Sequence, residues 1–347
     1  MNILYGVPGE GMGHATRSKV IIEHLLKDHN VQVVSSARAF KFLNESFPGH
    51  VHEIKGFHFA YKNAQVSKTG TLMLNLKNAP KNLTHNLRKY AELQNDFDLV
   101  ISDFESFSFF YARHHKLPII SIDNMQIIDR CELEISVPKE EKKNFQLSKA
   151  IVKAKVPGCK KYFITSFFDA PLKKKDTMMV PPIVRKAIID AKPSSGEHIL
   201  MYQTSSSLSD VKEILSKVQG VTFYVYGFNK NEKYGNVIFK SFSEQGFVND
   251  LASCRAVIAN GGFSFISEAV YLQKPVYSFP IKNQFEQFVN AAYIDKLGYG
   301  RHFDTLNADQ VKAFLYDLDF FKKNLSTYLQ NGNKVLFEML DDEIKRM

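Results

Sequence analysis

Residues 6–17 read GVPGEGMGHATR, with glycines at 6, 9, 11 and 13 and His14 directly behind the last. A glycine-rich turn after a strand lets the backbone come close to a ligand, and the helix that follows carries a partial positive charge at its start. That charge disfavours imidazolium, so His14 is expected to be neutral and able to accept a proton. A neutral histidine at the strand ends is a candidate general base, and it needs an acid to orient it. Asp103, in DLVISDFES, is the leading partner, because parallel strands deliver their carboxyl ends to one edge. Asp123, in IISIDN, is the reserve. The plainer roles for these three residues are helix cap, turn residue or satisfied core group.

A second constellation lies in IANGGFSFISEAVYLQKPVYSFPIKNQFEQFVNA. It holds a strand, a Gly261–Gly262 turn, a helix opening at about Ser264, and Glu268 roughly one turn in. Such a helix start supplies N–H groups for a phosphate. An ionised Glu268 is acceptor-only and could take both vicinal hydroxyls of a ribose. Glu286 and Gln287, after the next strand, could present polar groups to a sugar. The opening loop is not a dinucleotide fingerprint: counting from Gly9 or Gly11, the third required glycine is His14 or Thr16. No acidic residue follows VQVVSSA to hold a ribose, which leaves only Arg38 for a 2′-phosphate.

These residues must be positioned by strands and helices. NILYGV, VQVVSSA, DFDLVIS and LPIISID read as strands, with helices in HATRSKVIIEHLLKDH and FSFFYARHHK. HILMYQT, SDVKEILSKVQ, VTFYVYG, VIFKSFS, FVNDLAS and AVIAN continue the same alternation in the second half. Strands alternating with helices indicate parallel βαβ units, so two doubly wound α/β domains are expected. The prolines at 181 and 182 and the PSSG cluster interrupt the pattern. We therefore expect an N-terminal domain over 1–180, a linker over 181–197 and a C-terminal domain over 198–324, with the helical stretch from about 325 to 347 packing back on the first domain.

A chain of 347 residues is long for one core and comfortable for two. Its 44% hydrophobic and 23% charged residues are those of an ordinary globular protein. The longest apolar runs fall well short of the ~18 residues a spanning helix needs. Polar residues arrive too early for a secretory leader, so a cytoplasmic location is expected. Cys131, Cys159 and Cys254 are odd in number and widely spaced, which suggests neither a disulfide framework nor a zinc site. Net charge is +9, and residues 1–190 hold 28 Lys/Arg against 19 Asp/Glu, whereas 191–347 hold 17 of each. The excess, much of it between Lys139 and Lys175, suits a solvated basic face, an anionic substrate or the inner face of a membrane. No nucleic-acid-binding motif accompanies it.

The block NGGFSFISEAVYLQKPVYSFPIKNQFEQFVNA resembles the donor-binding signature of nucleotide-sugar glycosyltransferases of the GT-B fold. The likeness is to the UDP-glycosyltransferases and their bacterial relatives, including the peptidoglycan N-acetylglucosaminyltransferase. GEGMGHATRS, with Gly11, Gly13 and Arg17, resembles the acceptor-side loop of the same enzymes, and most closely a small microbial group with GxGxGHxxR. The resemblance implies two Rossmann-like domains facing across a cleft. It makes His14 the base on an acceptor hydroxyl and Asp103 its partner. It places Gly261, Gly262, Phe263 and Ser264 by a diphosphate, Glu268 on the ribose, and Glu286 with Gln287 at the donor sugar. Thr204 and Ser205 match a loop that touches phosphate. Asn260 stands where relatives often have histidine, two extra residues separate Pro280 from Glu286, and Glu replaces the usual Asp of plant enzymes; these departures leave the donor sugar open.

The implied activity is inverting transfer from a UDP-sugar, with no other cofactor, and no metal because no DxD-like aspartate pair stands beside the candidate diphosphate loops. Sugar-nucleotide hydrolases, epimerases and a non-catalytic sensor share the pattern. The acceptor is a hydroxyl compound, and the stretch GFHFAYK suits a lipid-linked or membrane-surface one unless it is core strand.

Overall fold

The computed structural model describes residues 1–9, 11–56, 61–62, 65–66, 68–93, 96–203 and 210–347. The stretch GFHFAYK falls largely outside them, as do Thr204 and Ser205. The chain separates into two units that divide between Ile183 and Val184 and again between Gly332 and Asn333, so residues 333–347 belong to the first.

Before residue 184 the chain contributes β1 (Asn2–Val7), α1 (Met12–Leu25), β2 (Asn30–Ser35), α2 (Ala37–Ser46), β3 (Val51–Glu53), the short β4 (Tyr61–Lys62) and β5 (Gln65–Val66), of which Lys62 and Gln65 group with the second unit, and α3 (Lys68–Glu92). It continues with β6 (Leu99–Ser102), α4 (Ser106–His115), β7 (Ile119–Asp123), α5 (Ile127–Arg130), α6 (Lys142–Lys155), β8 (Lys161–Thr165) and β9 (Thr177–Val180). Among the described residues the first unit's main sheet has the order β3-β2-β1-β6-β7-β8-β9, parallel throughout. The fully buried β6 (LVIS) and β7 (IISID) read as near-continuous apolar runs, as central strands of a parallel sheet covered on both faces do. The winding direction reverses between β1 and β6, which opens a crevice at their carboxyl ends. Gly6, near the end of β1, lies so close to α4 that an added Cβ would sit 2.0 Å from Ser108 Oγ. This glycine lets α4, and the turn before it, approach β1.

The second unit contains α7 (Lys186–Ile189), β10 (His198–Tyr202), α8 (Val211–Ser216), β11 (Thr222–Tyr226), β12 (Glu232–Tyr234), β13 (Val237–Phe239), α9 (Glu244–Ser253) and β14 (Ala256–Ala259). It goes on through α10 (Phe263–Tyr271), β15 (Val276–Ser278), α11 (Phe285–Lys296), β16 (Gly300–His302), α12 (Ala308–Tyr316) and α13 (Leu318–Leu325). Its sheet runs β12-β13-β11-β10-β14-β15-β16, parallel except for the antiparallel edge strand β12. The reversal here lies between β10 and β14, so the loops after those two strands flank its crevice.

Residues 184–197 are tied into the second unit rather than spanning open space. Ser194 donates to the Ala252 carbonyl at 2.9 Å, Gly196 to that of Ser253 at 2.7 Å, and Lys274 Nζ reaches the Ser194 carbonyl at 2.5 Å. The final helix, α14 (Lys334–Lys345), inserts Leu336, Leu340 and Ile344 into the core of the first unit beside Ile21, Ile22 and Leu25 of α1. His24 of α1 stacks on Phe337 at 3.9 Å and bonds Asp341 at 2.8 Å, which fixes the register of that packing.

Candidate functional site

In the first unit the site grows from strand register. Gly6 of β1 pairs with Ser102 of β6, and the next amide, of Asp103, donates to the Gly6 carbonyl at 2.9 Å. Asp103 therefore stands at the sheet edge where α1 begins. Gly11 caps α1 without a side chain, and no acidic residue occupies its first turn. His14 is the third residue of that helix; one helical turn on, Arg17 and Ser18 lie on its buried face.

These side chains converge on Asp103. Its carboxylate accepts from Arg17 Nε at 3.0 Å, Arg17 Nη2 at 2.5 Å and Ser18 Oγ at 3.0 Å, while His14 Nδ1 lies 3.0 Å from its Oδ1. Arg17 also donates from Nη1 to Asn124 Oδ1 at 2.7 Å. The Asp103 side chain is 1% exposed, Arg17 5% and His14 22%, so only the imidazole opens to solvent. Asp123 does not contact His14; it accepts from Ser121 Oγ at 2.7 Å and from the Gln126 amide at 2.9 Å.

Electrostatics follow from this layout. Burial alone would raise the Asp103 carboxyl, but Arg17 and His14 outweigh it and hold it far below the usual carboxylate range. His14 is held below its ordinary value by burial first and by the Arg17 guanidinium second, against the pull of Asp103. Arg17 Nη2 also lies 2.6 Å from His14 Nδ1. Arginine only donates, so the two contacts at Nδ1 are alternatives. With a proton on Nδ1 the ring donates to Asp103 and Nε2 accepts; with Arg17 donating to Nδ1, Nε2 carries the proton.

Asp123 is pushed up to about 6, chiefly by burial and further by the Asp103 charge, with the Ser121 hydroxyl opposing. The unfolded carboxyl keeps its ordinary 3.8. Between these values the folded chain binds the extra proton, so this group's contribution to stability falls as pH rises through that window. The full difference is of order 3 kcal/mol. Asp123→Asn should therefore gain stability relative to the parent between pH 4 and pH 7, as read from urea midpoints at the two pH values. A constant gap would mean that the carboxylate ionises without penalty.

In the second unit, β14 ends at Ala259 and Gly261 adopts φ 109°, where a Cβ would also meet the Gln287 carbonyl at 2.9 Å. The turn thus requires glycine twice over. It delivers Gly262 as the cap of α10, which begins at Phe263, with no side-chain oxygen at the cap and no acidic residue in the first turn. Asn290 Nδ2 of α11 bonds the Gly261 carbonyl at 2.9 Å and Glu286 Oε1 at 3.0 Å, pinning the turn to the neighbouring helix. Asn260 is buried; its Nδ2 reaches the Phe279 carbonyl at 3.4 Å, and its Oδ1 has no partner among the described residues.

Two residues behave differently from the simple sugar contacts anticipated for them. Gln287 is buried, its Oε1 accepting from the Ile281 amide at 3.0 Å and its Nε2 donating to Gln284 at 2.5 Å, so it shapes the 281–284 loop. Glu268 is clasped by Arg185, with Nε to Oε1 at 2.6 Å and Nη2 to Oε2 at 2.8 Å. Arg185 also reaches Glu244 at 3.0 Å. Sequence reasoning placed Arg185 in a linker and missed it, because nothing local in VPPIVRK signals a partner 83 residues away. Phe263 is buried and Ser264 half-buried at the start of α10.

Among the described residues no helix is long and apolar enough to cross a membrane. The family described as glycosyl transferase family 1 matches residues 1–319. An uncharacterized glycosyltransferase of Methanosarcina acetivorans is 27% identical over 335 residues, covering 87% of this chain and 85% of that protein. Phytolacca americana UGT2, solved with UDP-2fluoro-glucose and pterostilbene, is similar in fold with a TM-score of 0.69 at 13% identity, covering 100% of this chain and 99% of that one. The calicheamicin glycosyltransferase CalG4 gives 0.68 at 15% identity, covering 100% and 98%.

Proposed function

Because the chain belongs to glycosyl transferase family 1 and has the GT-B fold, we propose that it moves a sugar from a UDP-sugar to a hydroxyl acceptor with inversion, His14 acting as general base. The observation that carries this reading is the His14–Asp103 pair at the crevice of the first sheet, with the imidazole alone exposed. In the working tautomer Nδ1–H donates to Asp103, leaving Nε2 to take the acceptor proton. The oxygen then forms a bond to the anomeric carbon as the bond to the diphosphate breaks on the opposite side. Amides at the start of α10 receive the departing negative charge, as helix N-termini do for anions. Glu268 holds the ribose and Glu286 serves the donor sugar, while Gln287 shapes the 281–284 loop. Turnover needs no divalent cation, so chelation with EDTA should leave the rate unchanged.

Incubating the full chain with a panel of UDP-sugars, with and without host lipid and soluble extracts, tests the reading by mass spectrometry. A new glycoside with inverted configuration supports it. UDP release at full rate without acceptor would make the protein a hydrolase, and isomerised donor an epimerase.

The Arg185 clasp bears on donor binding. Glu268→Ala should weaken UDP about ten- to a hundredfold by calorimetry, through lost ribose hydrogen bonds to a charged acceptor. Arg185→Gln, which frees the Glu268 carboxylate, should tighten UDP or leave it unchanged if the nucleotide takes the guanidinium's place. Equal weakening by both changes would mean that the ion pair only braces α10.

A further inference from the structure

We propose that the outward face of α6 docks on an anionic lipid surface, with Leu147 and Ile151 entering the acyl boundary and the lysines beside them meeting phosphate headgroups. The helix packs inward through Asn144 and Val152, with Phe145 and Ser148 partly buried alongside. At about 100° per residue, positions 143, 147, 150, 151 and 154 fall on one stripe, and all five are exposed. That stripe reads Lys143, Leu147, Ala150, Ile151, Ala154, with Leu147 44% and Ile151 49% exposed. A surface helix ordinarily turns its apolar stripe toward the core and its polar side to water. Here two large aliphatic side chains, one helical turn apart, face outward.

The charge around them has one sign. α6 carries Lys142, Lys143, Lys149, Lys153 and Lys155 and no acidic residue. Lys142, Lys149 and Lys153 recur at i, i+7 and i+11, which lines them along one flank of the stripe. The solvated helix α14 differs, mixing Lys334 and Lys345 with Glu338, Asp341, Asp342 and Glu343. Glu140 and Glu141 precede α6, and Glu141 accepts from Asn144 Nδ2 at 2.9 Å. Asp129 of α5 is withdrawn to 3% exposure and shared between Lys153, 3.7 Å away, and Lys174. Lys174 carries the basic edge onto the 171–175 loop, where Leu172, Lys173 and Lys175 are exposed.

These two features together select the occupant. Interfacial helices combine an apolar face with lysines that reach headgroups, and their binding adds buried apolar area to attraction for anionic lipid. A nucleic acid would match the lysines and leave Leu147 and Ile151 without an apolar partner. A second copy of this chain would match the aliphatic pair, but a two-fold contact would set five lysines against five.

Co-sedimentation of the full chain with vesicles tests the docking without reading turnover. One set is equimolar phosphatidylglycerol and phosphatidylcholine, the other phosphatidylcholine alone. The parent should bind the anionic set and weaken as salt rises. Lys142→Gln/Lys143→Gln should weaken that binding about 20- to 30-fold, at about fivefold per lysine. Leu147→Ser/Ile151→Ser should weaken it about ten- to a hundredfold, with the melting temperature unchanged because both side chains lie at the surface. The native Cys131, Cys159 and Cys254 are buried, so Ala150→Cys offers a surface thiol for an environment-sensitive fluorophore, whose emission should shift to the blue with the anionic vesicles.

Absent binding to anionic vesicles, equal binding to both sets, or binding that the serine pair leaves intact overturns the proposal. A concentration-dependent dimer that the serine pair dissolves, with no vesicle binding, also overturns it and gives the face to a second copy. Vesicle binding by a chain that turns over no UDP-sugar would leave the docking standing and remove glycosyl transfer; turnover on a soluble acceptor without vesicle binding would do the reverse.

Discussion

Replacing His14 by alanine is expected to lower the rate of sugar transfer by about 10²–10⁴-fold, the range that a positioned general base supplies. The fold should survive, because Asp103 keeps its bonds to Arg17 and Ser18 when the imidazole is gone. UDP affinity should survive as well, since His14 belongs to the first unit and the α10 turn to the second. The acid limb of the parent's pH–rate profile should lie below the ordinary imidazole value of 6.5, because burial and Arg17 both resist protonation. Activity would then fade only as pH drops through that lowered value, when the ring gains a proton and can no longer accept one. Steady-state kinetics over pH 4.5–8 measure both effects. A variant with parent-like turnover would remove His14 from the chemistry and with it the proposed mechanism.

Asp103→Ala is the second large effect, and it reads stability rather than rate. The substitution deletes the carboxylate that matches a guanidinium 5% exposed, leaving Arg17 with Asn124 as a neutral acceptor. Removing one partner of a buried ion pair costs about 3–5 kcal/mol, because the remaining charge is stranded away from water. The urea midpoint of the first unit should fall accordingly. Arg17→Met in the same background should recover part of the loss by removing the stranded charge. If the double variant is no better than the single, the damage lies in the β1–β6 edge and not in an unmatched cation. Asp103→Asn keeps the shape, and its loss of activity separates orientation of the imidazole from bulk unfolding.

How much of this was legible beforehand depended on distance along the chain. The alternation of apolar runs and helices marks two doubly wound units because each strand and each helix declares itself within about ten residues. The short strands β8, β9 and β16 escape notice, as does the exposed antiparallel β12, since three to five residues between lysines or prolines carry little periodicity. His14 and Asp103 are readable as a pair because both follow strands that end at one edge. Choosing Asp103 over Asp123 requires knowing that β6, and not β7, lies beside β1. Arg17 is visible as a motif residue, but its hold on Asp103 emerges only when a helical turn is laid against the sheet. The Arg185–Glu268 clasp has no local signature at all. The inward turn of Gln287, whose Oε1 accepts from the Ile281 amide, has no local signature either.

The return of residues 333–347 to the first unit has a practical corollary for dissecting the protein. A fragment stopping at residue 183 would present a raw apolar groove where Leu336, Leu340 and Ile344 normally lodge, and should aggregate when expressed alone. The second unit, continuous from 184 to 332 apart from residues 62–65, is the better candidate for isolated production. Linking Met347 to Met1 and opening the chain between Ile183 and Val184 would place residues 333–347 and 1–183 in one segment.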